Sequence, residues 1–164
     1  MADSDQYIDI MIESLKTKDR QLDLLLKKTK EQSELISGKS YDEVDWTTFD
    51  VIMSTKDSAI EKIVDLDDGF QKLYDRVREE VNLNRDLYKD KVILMQSMIR
   101  ELTDKGLKIQ VIEERNRADI ERITVASKKE IKHAKRSVNV ASNYYKTMSN
   151  SSLPPDSQYV DKKK

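Results

Sequence analysis

The first proline of this 164-residue chain is Pro154, and only three glycines, Gly38, Gly69 and Gly106, precede it. Without proline, nothing before residue 154 removes a ladder N–H or forces a ring against the preceding turn, so nearly the whole chain is free to be helical. Its apolar residues recur at three- and four-residue steps, the rhythm of helices that bury one stripe. A composition of 37% apolar and 37% charged residues suits such helices. The expected fold is all-α: an antiparallel helical bundle or coiled coil with one very long C-terminal helix, in a single domain over residues 1–150.

Four helices are expected, over about 4–37, 47–67, 69–81 and 85–149. The first places Ile8, Met11, Ile12, Leu15, Leu22, Leu25, Leu26 and Ile36 on one face, and Gly38 ends it by supplying a left-handed cap. Both Ser40-x-x-Glu43 and Thr47-x-x-Asp50 fit a capping box, so the restart has two candidates. The second helix turns Phe49, Ile52, Ile60, Ile63 and Leu66 inward. A break is expected at Asp65–Gly69, where Asp68-x-x-Gln71 caps a short third helix bearing Phe70, Leu73, Tyr74, Val77 and Val81. Asn84 is placed to cap the last helix, along which Val92, Met95, Ile99, Leu102, Gly106, Ile109, Asn116, Ile120 and Ile123 form a heptad seam. An asparagine inside such a seam fixes register.

At 1.5 Å per residue the last helix would span about 100 Å, against roughly 50 Å for the first and about 30 Å for the second. The shorter helices cannot cover it, so its far end is expected to project and to bind a partner. The contact residues expected there are Ile131, Ala134, Val138, Ala141, Tyr144, Tyr145 and Met148, small or adaptable side chains that let another helix approach. Trp46, at a helix start beside a loop, is expected to lid the core end. The polar stretch 151–164 holds both prolines and is expected to be disordered.

Several function classes are disfavoured. The chain has no cysteine, which removes disulfides and thiolate metal sites and fits a reducing, cytoplasmic setting. Its N-terminus is acidic where a secretory signal is basic, and its longest apolar run is Val92–Met95, too short to insert in a membrane. His133 is the only histidine, and a calcium loop aligned on Gly69 would put Val64 and Leu66 at ligand positions. No nucleophile–histidine–carboxylate arrangement or phosphate loop appears, so neither an enzyme nor a cofactor is expected. Lys128, Lys129, Lys132, Lys135 and Arg136 spread around a helix without interleaved aromatics, so nucleic acid is not expected either. Charge is nonetheless asymmetric. Residues 41–90 carry seven Lys/Arg against fourteen Asp/Glu (7 − 14 = −7), and residues 128–164 carry nine against three (9 − 3 = +6). The basic end suits an acidic partner surface.

Four stretches carry a family resemblance: Tyr7–Leu15, Lys56–Leu66 with its Glu61-Lys62-Ile63, Asp67-Asp68-Gly69-Phe70, and Ser142-Asn143-Tyr144-Tyr145. Together they resemble the FlgN-like flagellar export chaperones, particularly those of clostridial-type bacteria. That resemblance implies a cytosolic chaperone that binds C-terminal helices of the hook-filament junction proteins, prevents premature assembly and delivers them to the flagellar type III export gate. It further implies client contact at Ile131, Ala134, Val138 and Ala141, and gate docking at Tyr144 or Tyr145. The remaining alternatives are another helical component of the export apparatus, or a self-associating coiled-coil structural protein. A monomer or weak dimer is expected.

Overall fold

The computed structural model describes residues 2–127 and 143–144. Three long helices make the bundle: α1 (Ala2–Ile36), α2 (Trp46–Leu83) and α3 (Arg85–Ala126), with a single 3-10 turn at Tyr41–Glu43 between the first two. Side-chain pairs fix their directions. Lys18 meets Asp67 and Lys56 meets Gln32, so α1 and α2 are antiparallel. Lys91 meets Asp5 and Asp9, and Lys105 meets Asp19 and Asp23, so α3 runs parallel to α1. The antiparallel helical bundle with a long C-terminal helix is therefore the fold.

The buried residues of α1 keep an unbroken three-four alternation at positions 8, 11, 15, 18, 22, 25, 29, 32 and 36. Along α3 the same alternation runs through 88, 92, 95, 99, 102, 106, 109, 113, 116, 120 and 123. A strict 3.5-residue repeat keeps one seam facing the partner over the full helix length, which is the packing of a left-handed coiled coil.

Local chemistry sets the ends. Gly38 takes φ 69°, a left-handed conformation that favours glycine, and α1 stops just before it. Of the two candidate capping boxes, Ser40 and Glu43 close the 3-10 turn, the Ser40 N–H donating to Glu43 Oε1 at 3.0 Å. The start of α2 is capped instead by Asp45, whose Oδ1 accepts from the Thr48 N–H at 3.1 Å while its Oδ2 accepts from Thr48 Oγ1 at 2.6 Å. Trp46 does lid this end: its Nε1 donates to the Tyr41 carbonyl at 3.1 Å, and its ring lies 5.2 Å from both the Tyr41 and Phe49 rings.

Two boundaries differ from expectation. The break at Asp65–Gly69 does not occur, and the helices expected over 47–67 and 69–81 are one continuous α2. Glycine costs a helix about 1 kcal/mol relative to alanine, which the flanking buried Ile63, Phe70 and Tyr74 outweigh by packing on α1 and α3. The helix expected over 85–149 begins where predicted but ends at Ala126, because Ser127 is extended, with φ −116° and ψ 123°.

Candidate functional site

The seam of the bundle is not uniformly apolar. Thr29 and Gln32 on α1, Lys56 on α2, and Glu113 and Asn116 on α3 all occupy seam positions with no exposed surface. The Lys56 Nζ donates to Gln32 Oε1 at 2.7 Å and to Glu113 Oε1, so one ammonium ties all three helices together. Thr29 Oγ1 lies 3.1 Å from the same Glu113 oxygen. The Asn116 Nδ2 donates to the Thr29 carbonyl at 3.2 Å, and the Ser33 hydroxyl donates to Asn116 Oδ1. Burial pulls the Lys56 ammonium below the ordinary lysine range, and the Glu113 carboxylate opposes that pull. Desolvating two charges is costly unless geometry and hydrogen bonds offset it, and with Gln32 Nε2 and Glu113 Oε2 left unpartnered among the described residues the layer ties the helices in one alignment at a cost in stability.

A buried pair of this kind specifies alignment. An apolar heptad seam tolerates sliding by seven residues, because one Leu or Ile layer replaces another. The paired carboxylates that hold Lys91 recur fourteen residues later around Lys105, so a two-heptad slip would keep one of the two clamps. The Lys56–Glu113 layer occurs once and a slip would bury its charges among aliphatic side chains, while the Lys18–Asp67 pair, also single, aligns α1 with α2. Asn116 was expected to fix register, and it stands in this layer.

A further feature is the seat of Tyr144. Ile123 packs with Ile36 and Phe49 at the loop end of the bundle, and Ser127 follows it there. Tyr144 lies elsewhere: its ring packs, partly buried, against the main core. Burial pushes its phenol pKa well up, and the charge of Asp67 adds to the effect. Since Asp67 is the partner of Lys18, this seat is near mid-bundle. Of the contact residues expected from sequence, Tyr144 alone is described, and it packs on its own chain. Ile131, Ala134, Val138, Ala141, Tyr145 and Met148 lie outside the described residues, as does His133.

The outer face of α3 carries an apolar row. Leu107, Val111, Ala118 and Val125 stand at i, i+4, i+11 and i+18, all exposed, with Val111 at 53% and Val125 at 83%. Val111, Ala118 and Val125 are each two residues from a seam residue, hence about 200° around the helix from it, and Leu107, next to seam residue Gly106, lies nearer the seam. Lys108 and Arg115 flank the row on one side, Glu114 and Glu121 on the other. By contrast, the interior cavity lined by Ile8, Phe70, Tyr74 and Val92 has a volume of about 20 Å³, room for no more than a water molecule.

Sequence reading missed the charged members of the seam. Lys56 and Glu113 look like surface residues when only apolar positions are tracked, yet the three-four alternation, carried through them without skipping, assigns both to the seam. No family model, curated protein or solved structure matches the chain. Among the described residues, no helix is long and apolar enough to cross a membrane.

Proposed function

We propose that this protein is a helical binding protein of the flagellar export chaperone type, which holds an amphipathic helix of a hook-filament junction protein and presents it to the export gate. The observation that carries the reading is the exposed apolar row Leu107, Val111, Ala118 and Val125 on α3, of which the last three stand opposite the seam. Leu107 and Val111 are one turn apart, and Ala118 and Val125 continue the row at one apolar residue per heptad between charged flanks, a narrow stripe along which a second amphipathic helix can lie. The four segments that resemble the FlgN-like chaperones support the same class. On this reading the chaperone acts in the cytoplasm, and client contact extends from the α3 row to Ile131, Ala134, Val138 and Ala141. With the Tyr144 ring committed to the core, gate docking falls to Tyr145.

The test is a titration of a fluorescent peptide covering the C-terminal helix of a junction protein, followed by anisotropy. Saturable one-to-one binding is expected at about micromolar Kd or tighter, equivalent to about −8 kcal/mol. Val111→Glu should weaken it at least tenfold, and a scrambled peptide of equal charge should not bind. Failure of every junction-protein helix to bind the intact protein would remove the assignment.

The same row favours one second reading, a self-associating coiled coil. With a basic flank on one side and an acidic flank on the other, two α3 rows laid parallel would oppose unlike charges, as paired e and g positions do. Sedimentation equilibrium separates the two readings: a tight dimer abolished by Ala118→Glu supports self-association, and a monomer that binds the peptide supports the chaperone.

A further inference from the structure

Among the described residues, the buried apolar core is in two pieces. The longer runs from Ile8 to Leu25 on α1, from Ala59 to Val81 on α2 and from Tyr88 to Ile109 on α3. The shorter holds Ile36, Val44, Phe49, Met53, Ile120 and Ile123, at the loop end. Along all three helices, the seam residues between the two pieces include the polar layer of Thr29, Gln32, Lys56, Glu113 and Asn116. We propose that the loop end beyond this layer opens and closes as a cooperative unit of its own, while the longer core stays folded.

Cooperativity in a helical rod is transmitted by continuous apolar packing, and here that continuity is interrupted across the full cross-section. The layer is also incompletely satisfied. Gln32 Nε2 and Glu113 Oε2 are buried with no hydrogen-bond partner among the described residues. Opening the loop end lets water reach both atoms and the Lys56 ammonium, and that hydration offsets part of the packing lost from the six-residue cluster. The longer cluster also holds a buried seam charge, Lys18, but its partner Asp67 is 42% exposed, so that pair reaches water from the folded state and does not cross all three helices.

The chain carries its own reporter. Trp46 is the only tryptophan, and it packs on the shorter cluster, so its fluorescence reads the loop end while far-ultraviolet circular dichroism reads all three helices. In urea, the Trp46 transition is expected at lower denaturant than the dichroism transition, because the two probes follow different units. Amide exchange should show the same division. Residues 48–55 and 116–123 should exchange more than about tenfold faster than residues 92–109, with a urea dependence of their own. Coincident transitions and one common exchange isotherm would overturn the proposal. Urea-independent exchange graded toward the helix ends would also overturn it, because that is fraying and not a cooperative opening.

Replacing Lys56→Leu together with Glu113→Leu makes the seam apolar through the layer and should bring the two transitions together. A folded double variant that keeps them separate would show that the layer is not the boundary. If the double variant does not fold, the two-probe and exchange measurements on the unaltered protein decide the matter alone.

Discussion

At the scale of single residues, the consequential pair is Lys56 and Glu113, two charges with no exposed surface and one partner each of opposite sign. Removing one member leaves the other buried and uncompensated, which typically costs about 3–5 kcal/mol. Lys56→Met and Glu113→Leu are therefore each expected to lower urea stability by that order. Replacing both together removes two desolvation costs along with one attraction, and such exchanges are often neutral or stabilising by about 1–4 kcal/mol. The double variant should thus be far more stable than the sum of the single losses, a coupling that a double-mutant cycle in urea measures directly. Additive losses would mean that the two side chains do not share a site. Lys91 and Lys105 differ in kind, since each lies at the surface between two aspartates of α1. Donating hydrogen bonds to the Asp5 and Asp9 carboxylates raises the Lys91 pKa above its ordinary 10.5, and donating to Asp19 and Asp23 raises Lys105 likewise. The native state then holds these protons more tightly than the unfolded chain does, so their stabilisation is complete below pH 10.5 and is lost as pH rises through the raised values. The urea midpoint should fall as pH rises above 10.5, and it should fall less steeply in a Lys91→Met, Lys105→Met variant.

At the scale of elements, α2 poses the sharpest question, because it runs unbroken through Gly69. The glycine is exposed, and a Cβ placed on it would meet nothing within 4 Å. Gly69→Ala should consequently stabilise the protein by about 0.5–1 kcal/mol, the helix-interior difference between the two residues, read as a higher urea midpoint with an unchanged slope. A loss of stability would mean that α2 is broken in solution where it is continuous here. Gly69 also shows where sequence legibility ended. The helical class, the α3 seam, the left-handed Gly38 and the lid role of Trp46 were all readable, because each rests on spacing or on one residue's backbone preference. The continuity of α2 was not, since a local signal in Asp65–Gly69 was outweighed by packing contributed from α1 and α3. The cap at Asp45 was missed for a related reason: a lone aspartate that bonds Thr48 has no reciprocal partner and leaves no box pattern. Lys18, Lys56 and Glu113 were left out of the seam because the three-four alternation was followed through apolar residues and not through charged ones. The α3 row was not singled out from the sequence, although the seam at Ile109, Asn116 and Ile123 already sets Val111, Ala118 and Val125 two residues away from it.

At the scale of the whole molecule, the expected length of the rod is what changes most. A straight helix from Arg85 through residue 143 would place Asn143 about 86 Å from Asp86, at 1.5 Å per residue. Tyr144 instead shares the neighbourhood of Asp67, which pairs with Lys18. On α3 the matching level is near residue 102, given the parallel register that sets Lys105 beside Asp19. Sixteen residues separate that level from Asp86, about 24 Å along the helix, and the width of one helix adds little more. The chain contains no cysteine, so spin labels at Asp86→Cys and Asn143→Cys would report this pair alone. A dipolar distance of about 25–35 Å is expected for the protein without a partner, against more than twice that for a continuous rod. The measurement also bears on how a client would be held. If adding the junction-protein helix leaves the short distance in place, the outer row of α3 is the docking surface and the Tyr144 seat is structural. If the distance lengthens on binding, the client and Tyr144 compete for the same part of the core, and the mid-bundle seat belongs to the binding site as well.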